Sequence, residues 1–374
     1  MKDNSRFFLC HTEQAIKLLL VFFLPVLVWS CKDETLSETL VPNRPNIEWQ
    51  YKGLKGLIIQ DVLISEQFVF ASTNRGLYQA SRVSFFSKDE TKWSLLTSKD
   101  WEFLDIILTS DSSLIGSVVH RGVNLLALSH DMGRNWTTST SQFGFGESRN
   151  FENINRLFWD PVSESLFGVG TDVLAISNAE ASSWELLSGL WQGFGRGMFA
   201  VTYDRESNIA FYGGQGAFEN PILRKVDLST LATEFIDVTD YLPQPSTIES
   251  IIIIKEGQTV IASGEGGIIR SDDYGETWNS LLKNSEARFY FDFIVDKNDS
   301  DSVFTVGWNK SFDEPQPLIL EYTTDKGASW HSEAYDEDNI FGGGKSIAAI
   351  QSEQTINLAV GLYKGGIFTI TIDK

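Results

Sequence analysis

Long stretches of the chain consist of short runs in which apolar and polar residues alternate, each closed by a group of turn residues. One stretch shows the form clearly: "SIIIIKEG" (250–257), "TVIASGEGG" (259–267), "IIRSDDYG" (268–275) and "WNSLLK" (278–283). Alternation at period two, rich in branched side chains and bounded by Gly, Asp and Ser, predicts β-strands joined by tight hairpins. Four such runs in series, recurring along the chain, predict the four-stranded sheets of a radial, repetitive all-β architecture.

The turns carry a repeat of their own. Three segments share the pattern SxDxGxxW with Ser or Thr first: "SHDMGRNW" (129–136), "SDDYGETW" (271–278) and "TTDKGASW" (323–330). A fourth, "SNAEASSW" (177–184), keeps the ends but has Ala179 and Ala181 where Asp and Gly stand elsewhere. The residue types explain one another. Asp accepts backbone N–H groups inside a tight turn, Gly supplies a positive φ, and Trp fills the space beneath the hairpin. Asp131, Asp273 and Asp325 are therefore expected to be structural, together with Gly133, Gly275, Gly327, Trp136, Trp278 and Trp330.

Aromatic residues that open outer strands stand at Trp49, Trp93, Trp136, Trp184, Phe235, Trp278 and Trp330, spaced 43 to 52 residues apart. Seven outer strands predict seven blades, hence an all-β, seven-bladed β-propeller over 47–374. After Trp330 three runs remain ("SIAAIQ", "INLAVG", "GIFTITID") without a fourth, while "IEWQYKGL" (47–54) is a fourth strand without a blade. Pairing them predicts that the N-terminal strand completes the last blade, which removes an exposed sheet edge.

Ahead of the repeats the picture changes. Lys2, Arg6 and Lys17 precede the apolar run 18–28, which is too short to span a bilayer of ~30 Å at 1.5 Å per residue and predicts an export signal over 1–30. The string "VWSC" (28–31) resembles the bacterial lipobox, which implies lipidation of Cys31 and a tether over 31–46. The only other cysteine is Cys10, inside the leader, so the mature domain can hold no disulfide. The acidic stretch after Cys31 resembles a surface-sorting signal, and the expected location is the outer membrane, facing the periplasm or the cell exterior.

Charge narrows the partners. The formal net charge is −20; residues 1–30 hold three basic and two acidic residues, leaving 27 basic against 48 acidic. Such a field disfavours nucleic acid. The mature chain has only His120, His130 and His331, and no acidic turn has the spacing of a calcium loop, so neither a metal nor a cofactor is expected.

The SxDxGxxW turns resemble those of the BNR, or Asp-box, repeat family, which includes sialidases, sortilin-type receptors, xyloglucanases and photosystem II assembly-factor propellers. The resemblance covers about 47–374 and implies a propeller fold, while family members differ in chemistry. Sialidases have six blades and an Arg-Ile-Pro motif, where this chain offers "NRPN" (43–46). Sortilins have ten blades. The assembly-factor propellers agree in blade number and size, and imply a non-catalytic binding or assembly module. The alternative is a carbohydrate-active enzyme of sialidase-like or other glycoside hydrolase type, for which Glu219, Glu265, Asp313 and Glu314 are the candidate carboxylates.

In an up-and-down blade the SxDxGxxW turns mark one end, so ligand contacts are expected at the other, in the second-to-third turns and the links between blades. Those segments hold Arg75, Arg121, Arg149, Trp191, Arg196, Arg288, Trp308 and Lys310, with Phe143, Phe145, Phe194, Phe218 and Lys364 beside them. Trp and Arg are the residue types that dominate binding hot spots. Basic residues gathered within an acidic protein predict an anionic protein segment or glycan as partner, with the membrane engaged only through the lipid.

Overall fold

A computed structural model describes residues 45–144, 152–254, 258–286, 288–337 and 339–374. The expected leader, Cys31, most of its tether, Phe145 and Arg149 lie outside the described residues.

The described chain forms seven four-stranded antiparallel sheets. In chain order they run from β2 (Ile59–Ile64) to β5 (Ser94–Leu95), β6 (Trp101–Leu108) to β9 (Thr137–Thr140), β10 (Arg156–Asp160) to β13 (Glu185–Gly189), β14 (Gly195–Asp204) to β17 (Ala232–Phe235), β18 (Ile248–Ile254) to β21 (Asn279–Lys283), and β22 (Phe293–Asp296) to β25 (His331–Tyr335). The seventh blade joins β26 (Gly344–Gln351), β27 (Thr355–Leu362) and β28 (Ile367–Asp373) to β1 (Ile47–Gly53), the first strand of the chain. This is the seven-bladed propeller with the expected closure.

The closing pair is antiparallel, with Ile47 opposite Ile372 and Trp49 opposite Ile370. It is stitched to the first blade as well: Trp93 Nε1 donates to Lys52 O at 2.7 Å, and Gly56 N donates to Lys364 O at 2.8 Å. A propeller must bury both faces of every blade except the outermost strand, and the middle strands accordingly read as nearly continuous apolar runs. The sequence of β19 (Thr259–Gly264), buried at every position, is an instance. Seven hydrophobic clusters follow from this, each shared by two neighbouring blades; one unites Ile59 and Val69 of the first blade with Ala359 and Ile367 of the last.

The SxDxGxxW segments occupy third-to-fourth strand turns, as expected. Asp131 Oδ1 accepts Asn135 N at 2.8 Å, Asp273 Oδ1 accepts Thr277 N at 2.8 Å, and Asp325 Oδ1 accepts Ser329 N at 2.9 Å. The first-position hydroxyl accepts the glycine N–H in each turn, for example Gly275 N to Ser271 Oγ at 2.7 Å. Gly133, Gly275 and Gly327 hold φ of 86°, 87° and 81°, in the left-handed region that favours glycine. These hydrogen bonds hold all three carboxyls at about 2. In the fourth segment Ala181 is forced to φ 49°, and Asn178 Oδ1 accepts Ser182 N at 3.4 Å in place of the lost aspartate.

Phe235 departs from expectation. It is the last residue of β17, is 72% exposed and lies opposite Arg224, whereas Trp93, Trp136, Trp184, Trp278 and Trp330 each immediately precede their strands and Trp49 lies third in β1. The cause is a different hairpin: Asp227 accepts Ser229 N at 2.8 Å and the Ser229 and Thr230 hydroxyls, so the outer strand already starts at Ala232.

Candidate functional site

Two features lie at the end of the propeller opposite the SxDxGxxW turns: a set of loops with paired charges and exposed aromatics, and a cavity on the ring axis.

The loop residues arrive from second-to-third turns and blade links, with Arg196 at the start of β14, in a bulge of its ladder. Arg75 is exposed. Arg121 is 3.3 Å from Asp100 Oδ2, which also meets His120 Nε2 at 2.9 Å. Arg196 pairs with Glu219 at 2.8 Å, both well exposed. Lys310 is ion-paired with the buried Glu265 and lies 4.9 Å from the centre of the Phe289 ring. Trp191 is half-buried, set edge-on against the buried Phe143 at 4.9 Å. The expectation of an electropositive patch is thus tempered by local acids, most of which stand within ion-pair distance of the cations.

Two expected contact residues are largely buried. Trp308 is only 5% exposed: its ring stacks on Tyr363 at 5.3 Å, meets Phe291 at 5.3 Å and Phe312 at 4.9 Å, and Nε1 donates to Ser311 O. Arg288 is largely buried; its Nη1 lies 3.0 Å from a Glu321 oxygen and its Nε donates to Asn309 Oδ1 at 2.6 Å. Both residues hold the fifth-to-seventh blade loops together and present no free face to a ligand. Their polar sequence neighbours concealed the partners, which come from separate strands and loops of the sixth blade and, in Tyr363, from the seventh.

What sequence reasoning undervalued is a small aromatic projection. Phe194, in the link from the third to the fourth blade, and Phe218, in a turn of the fourth, are 79% and 85% exposed and meet edge-on at 5.8 Å. Leu190, 66% exposed, precedes them in the same link, and the Arg196–Glu219 pair comes from the same two loops. Apolar side chains left this bare in a folded monomer are unusual when they are contiguous.

The candidate glycosidase carboxylates are spent on cations or solvent. Glu219 is paired with Arg196, Glu265 with Lys310, and Asp313 with Lys364 at 3.1 Å, while Glu314 is exposed.

The axial cavity is about 270 Å³ and takes a lining residue from every blade: Gln60, Leu104, Asn155, Phe199, Glu249, Phe291 and Lys345, with Arg156. In five blades the ladder shifts register at this residue, between Ile59 and Asp61, Phe103 and Asp105, Met198 and Ala200, Ile248 and Ser250, and Gly344 and Ser346. A bulge there turns successive side chains toward the axis instead of alternating them. A second tier follows: Asp61, Asp105 and Asp292 with Arg156. Arg156 Nη1 lies 3.3 Å from Asp105 Oδ1 and 3.7 Å from Asp61 Oδ1, and its Nε donates to Phe199 O at 3.3 Å. Asp105 Oδ2 also accepts Leu157 N from the neighbouring blade at 2.6 Å, and Asp292 Oδ1 accepts Ser250 Oγ at 2.9 Å. Burial raises the carboxyls despite the guanidinium: Asp105 to about 7, Asp292 to about 6, and Asp61 upward. Glu249 is likewise pushed up to about 6 by burial, opposed by Lys345. Among the described residues no cluster of His, Cys, Asp and Glu has the arrangement of a metal site.

No family model matches the chain, and no curated protein matches it by sequence. Solved structures do match in fold. YCF48 from Cyanidioschyzon merolae superposes with a TM-score of 0.57 at 10% identity, covering 87% of this chain and 98% of that one. A structure of YCF48 bound to D1 peptide gives 0.55 at 14% identity over 88% and 95%. The GH74 xyloglucanase from Xanthomonas campestris gives 0.61 at 14% identity, over 87% of this chain and 53% of that chain. At such identities the likeness is one of fold.

Proposed function

We propose that this chain is an exported, lipid-anchored propeller that binds a protein partner without catalysis, through the end opposite the SxDxGxxW turns. The observation that carries the reading is the bare Phe194–Phe218 pair beside the exposed Arg196–Glu219 pair. Aromatic anchors bordered by a charged rim are the composition of a protein-binding hot spot. The peptide-bound YCF48 structure supports a propeller of this size serving as a peptide-binding body. Cys31, as the sole cysteine after the leader, supports the lipid anchor, and Arg75, Arg121, Arg149, Trp191 and Lys310 would extend the contact around the rim.

The test is a pull-down from native membranes that compares wild type with a Phe194→Ser/Phe218→Ser double variant and with Arg196→Glu. Loss of the same captured protein in both variants, each melting like wild type, is the expected result. Unchanged capture moves the interface elsewhere. Release of sugar from any member of a glycan panel by the purified protein overturns the non-catalytic reading in favour of a glycoside hydrolase.

A further inference from the structure

The axial cavity is lined by polar groups whose hydrogen-bonding and ion-pairing capacity the protein itself only partly fills. Among the described residues the Lys345 ammonium makes no hydrogen bond and no ion pair; it lies 3.9 Å from the centre of the Phe291 ring and within electrostatic reach of Glu249 and Arg156. On the fifth blade, beyond Phe291 of the sixth, Glu249 accepts one hydrogen bond, from Thr247 Oγ1 to Oε1 at 3.0 Å. Asn155 spends its amide N–H groups on Gly170 O and Met198 O, both at 3.1 Å, which leaves Oδ1 as an oriented acceptor. Gln60 offers an amide with no hydrogen bond among the described residues. Beneath them Arg156 is anchored by Asp61 and Asp105 and closes the floor.

Polar and charged groups drawn out of bulk water are costly unless something pairs with them. Here a cation, an anion and two amides face one small space. Water can fill it, but the pattern is more specific than water requires, because the Lys345 ammonium of the seventh blade and the Glu249 carboxylate of the fifth flank Phe291 and present opposite charges to the same space. A simple anion would meet Glu249 and the aspartates below. A divalent metal ion would meet Lys345 and Arg156. A sugar ring would find no open aromatic platform at Phe291, whose face is taken by the ammonium. A molecule with a carboxylate at one end and an ammonium at the other satisfies both sides at once.

Size sets a further limit. A cavity of about 270 Å³, open at its mouth, suits a small molecule of on the order of ten non-hydrogen atoms. Leu104 and Phe199 supply apolar wall for a side chain.

We infer that the mouth of the axial channel is a binding site for a free zwitterionic α-amino acid, its carboxylate held by Lys345 and Arg156 and its ammonium by Glu249. The site lies at the starts of the innermost strands and so opens to the same end as Phe194 and Phe218, but it shares no residue with that patch and stands independently of the partner-binding reading.

The experiment uses the purified full-length protein. Each of the standard free amino acids is added singly at millimolar concentration in thermal melts, and those that shift Tm are titrated calorimetrically. At least one is expected to raise Tm saturably, as a ligand of the folded state must. Its N-acetyl and carboxamide derivatives are expected to have no effect, and Lys345→Gln and Glu249→Gln each to weaken it by about tenfold or more. Lys345→Met serves as a second probe should Lys345→Gln fail to melt cooperatively. The inference is overturned if no free amino acid shifts Tm, if the blocked derivatives or monosaccharides act equally well, or if the folded Lys345 and Glu249 variants bind as tightly as wild type.

Discussion

Arg156 in the innermost strand of the third blade stands 3.3 Å from Asp105 in that of the second, and the same carboxylate accepts the backbone N–H of Leu157. One side chain therefore bolts two blades together at the axis, where the ladders of different blades do not reach one another.

The axial carboxyls give stability a distinct dependence on pH. Asp105 ionises at about 7 in the folded protein, and Asp292 and Glu249 at about 6, against roughly 4 in an unfolded chain. The folded state holds protons that the unfolded state has released, so this contribution is complete below pH ~4 and is lost as pH rises through about 7. Asp131, Asp273 and Asp325, lowered to about 2, contribute in the opposite sense: fully above pH ~4, and lost on acidification toward 2. Tm is therefore expected to peak near pH 4 to 5 and decline toward 8. Asp105→Asn should flatten the decline between pH 5 and 8. Melts of the variant that keep the wild-type slope over that range would count against the assignment.

Each turn aspartate closes its own hairpin, so Asp131→Ala is expected to lower Tm by a few degrees without changing the folded far-UV spectrum, because the Asn135 N–H loses its acceptor. Asp131→Asn, which keeps an acceptor oxygen, should recover part of the loss. Equal melting of Ala variant and wild type removes the structural role.

Deleting 47–54 takes out β1 and leaves the seventh blade with three strands and the ring with open edges. The deletion is expected to yield aggregated protein or a melt without a cooperative transition. A soluble variant with the Tm of the full chain would refute closure as a source of stability.

Cys31→Ala is expected to shift the protein from the membrane to the soluble fraction after cell fractionation. Retention equal to wild type places the anchor elsewhere in the chain.

Legibility in the sequence followed the range of the interactions. The Asp131 turn is visible because its partners, Ser129, Gly133 and Asn135, lie within four residues, and β1 is visible because the last blade runs short of a strand. The axial tier is not visible in this way. Asp61, Asp105, Arg156 and Asp292 belong to four blades, and each faces the axis because of the local path of its innermost strand, which no residue type announces. Trp308 misled for a related reason: it sits among Asn309, Lys310 and Ser311 in the chain, but Phe291 and Tyr363 cover it in space. Composition near a residue reports its sequence neighbours, while burial depends on strands and blades brought together in space.

The clasp between β1 and β28 has a consequence in time. Asn46 donates to Asp373 Oδ2 across 327 positions, beside the pairing of β1 with β28. Six blades can form from local hairpins while the chain is still growing, but the ring cannot shut until the final residues are free, and such distant pairings are slow to form. A folding chain is thereby held as an open arc of sheets until β28 meets β1, and closure of the circle is a late, all-or-none step.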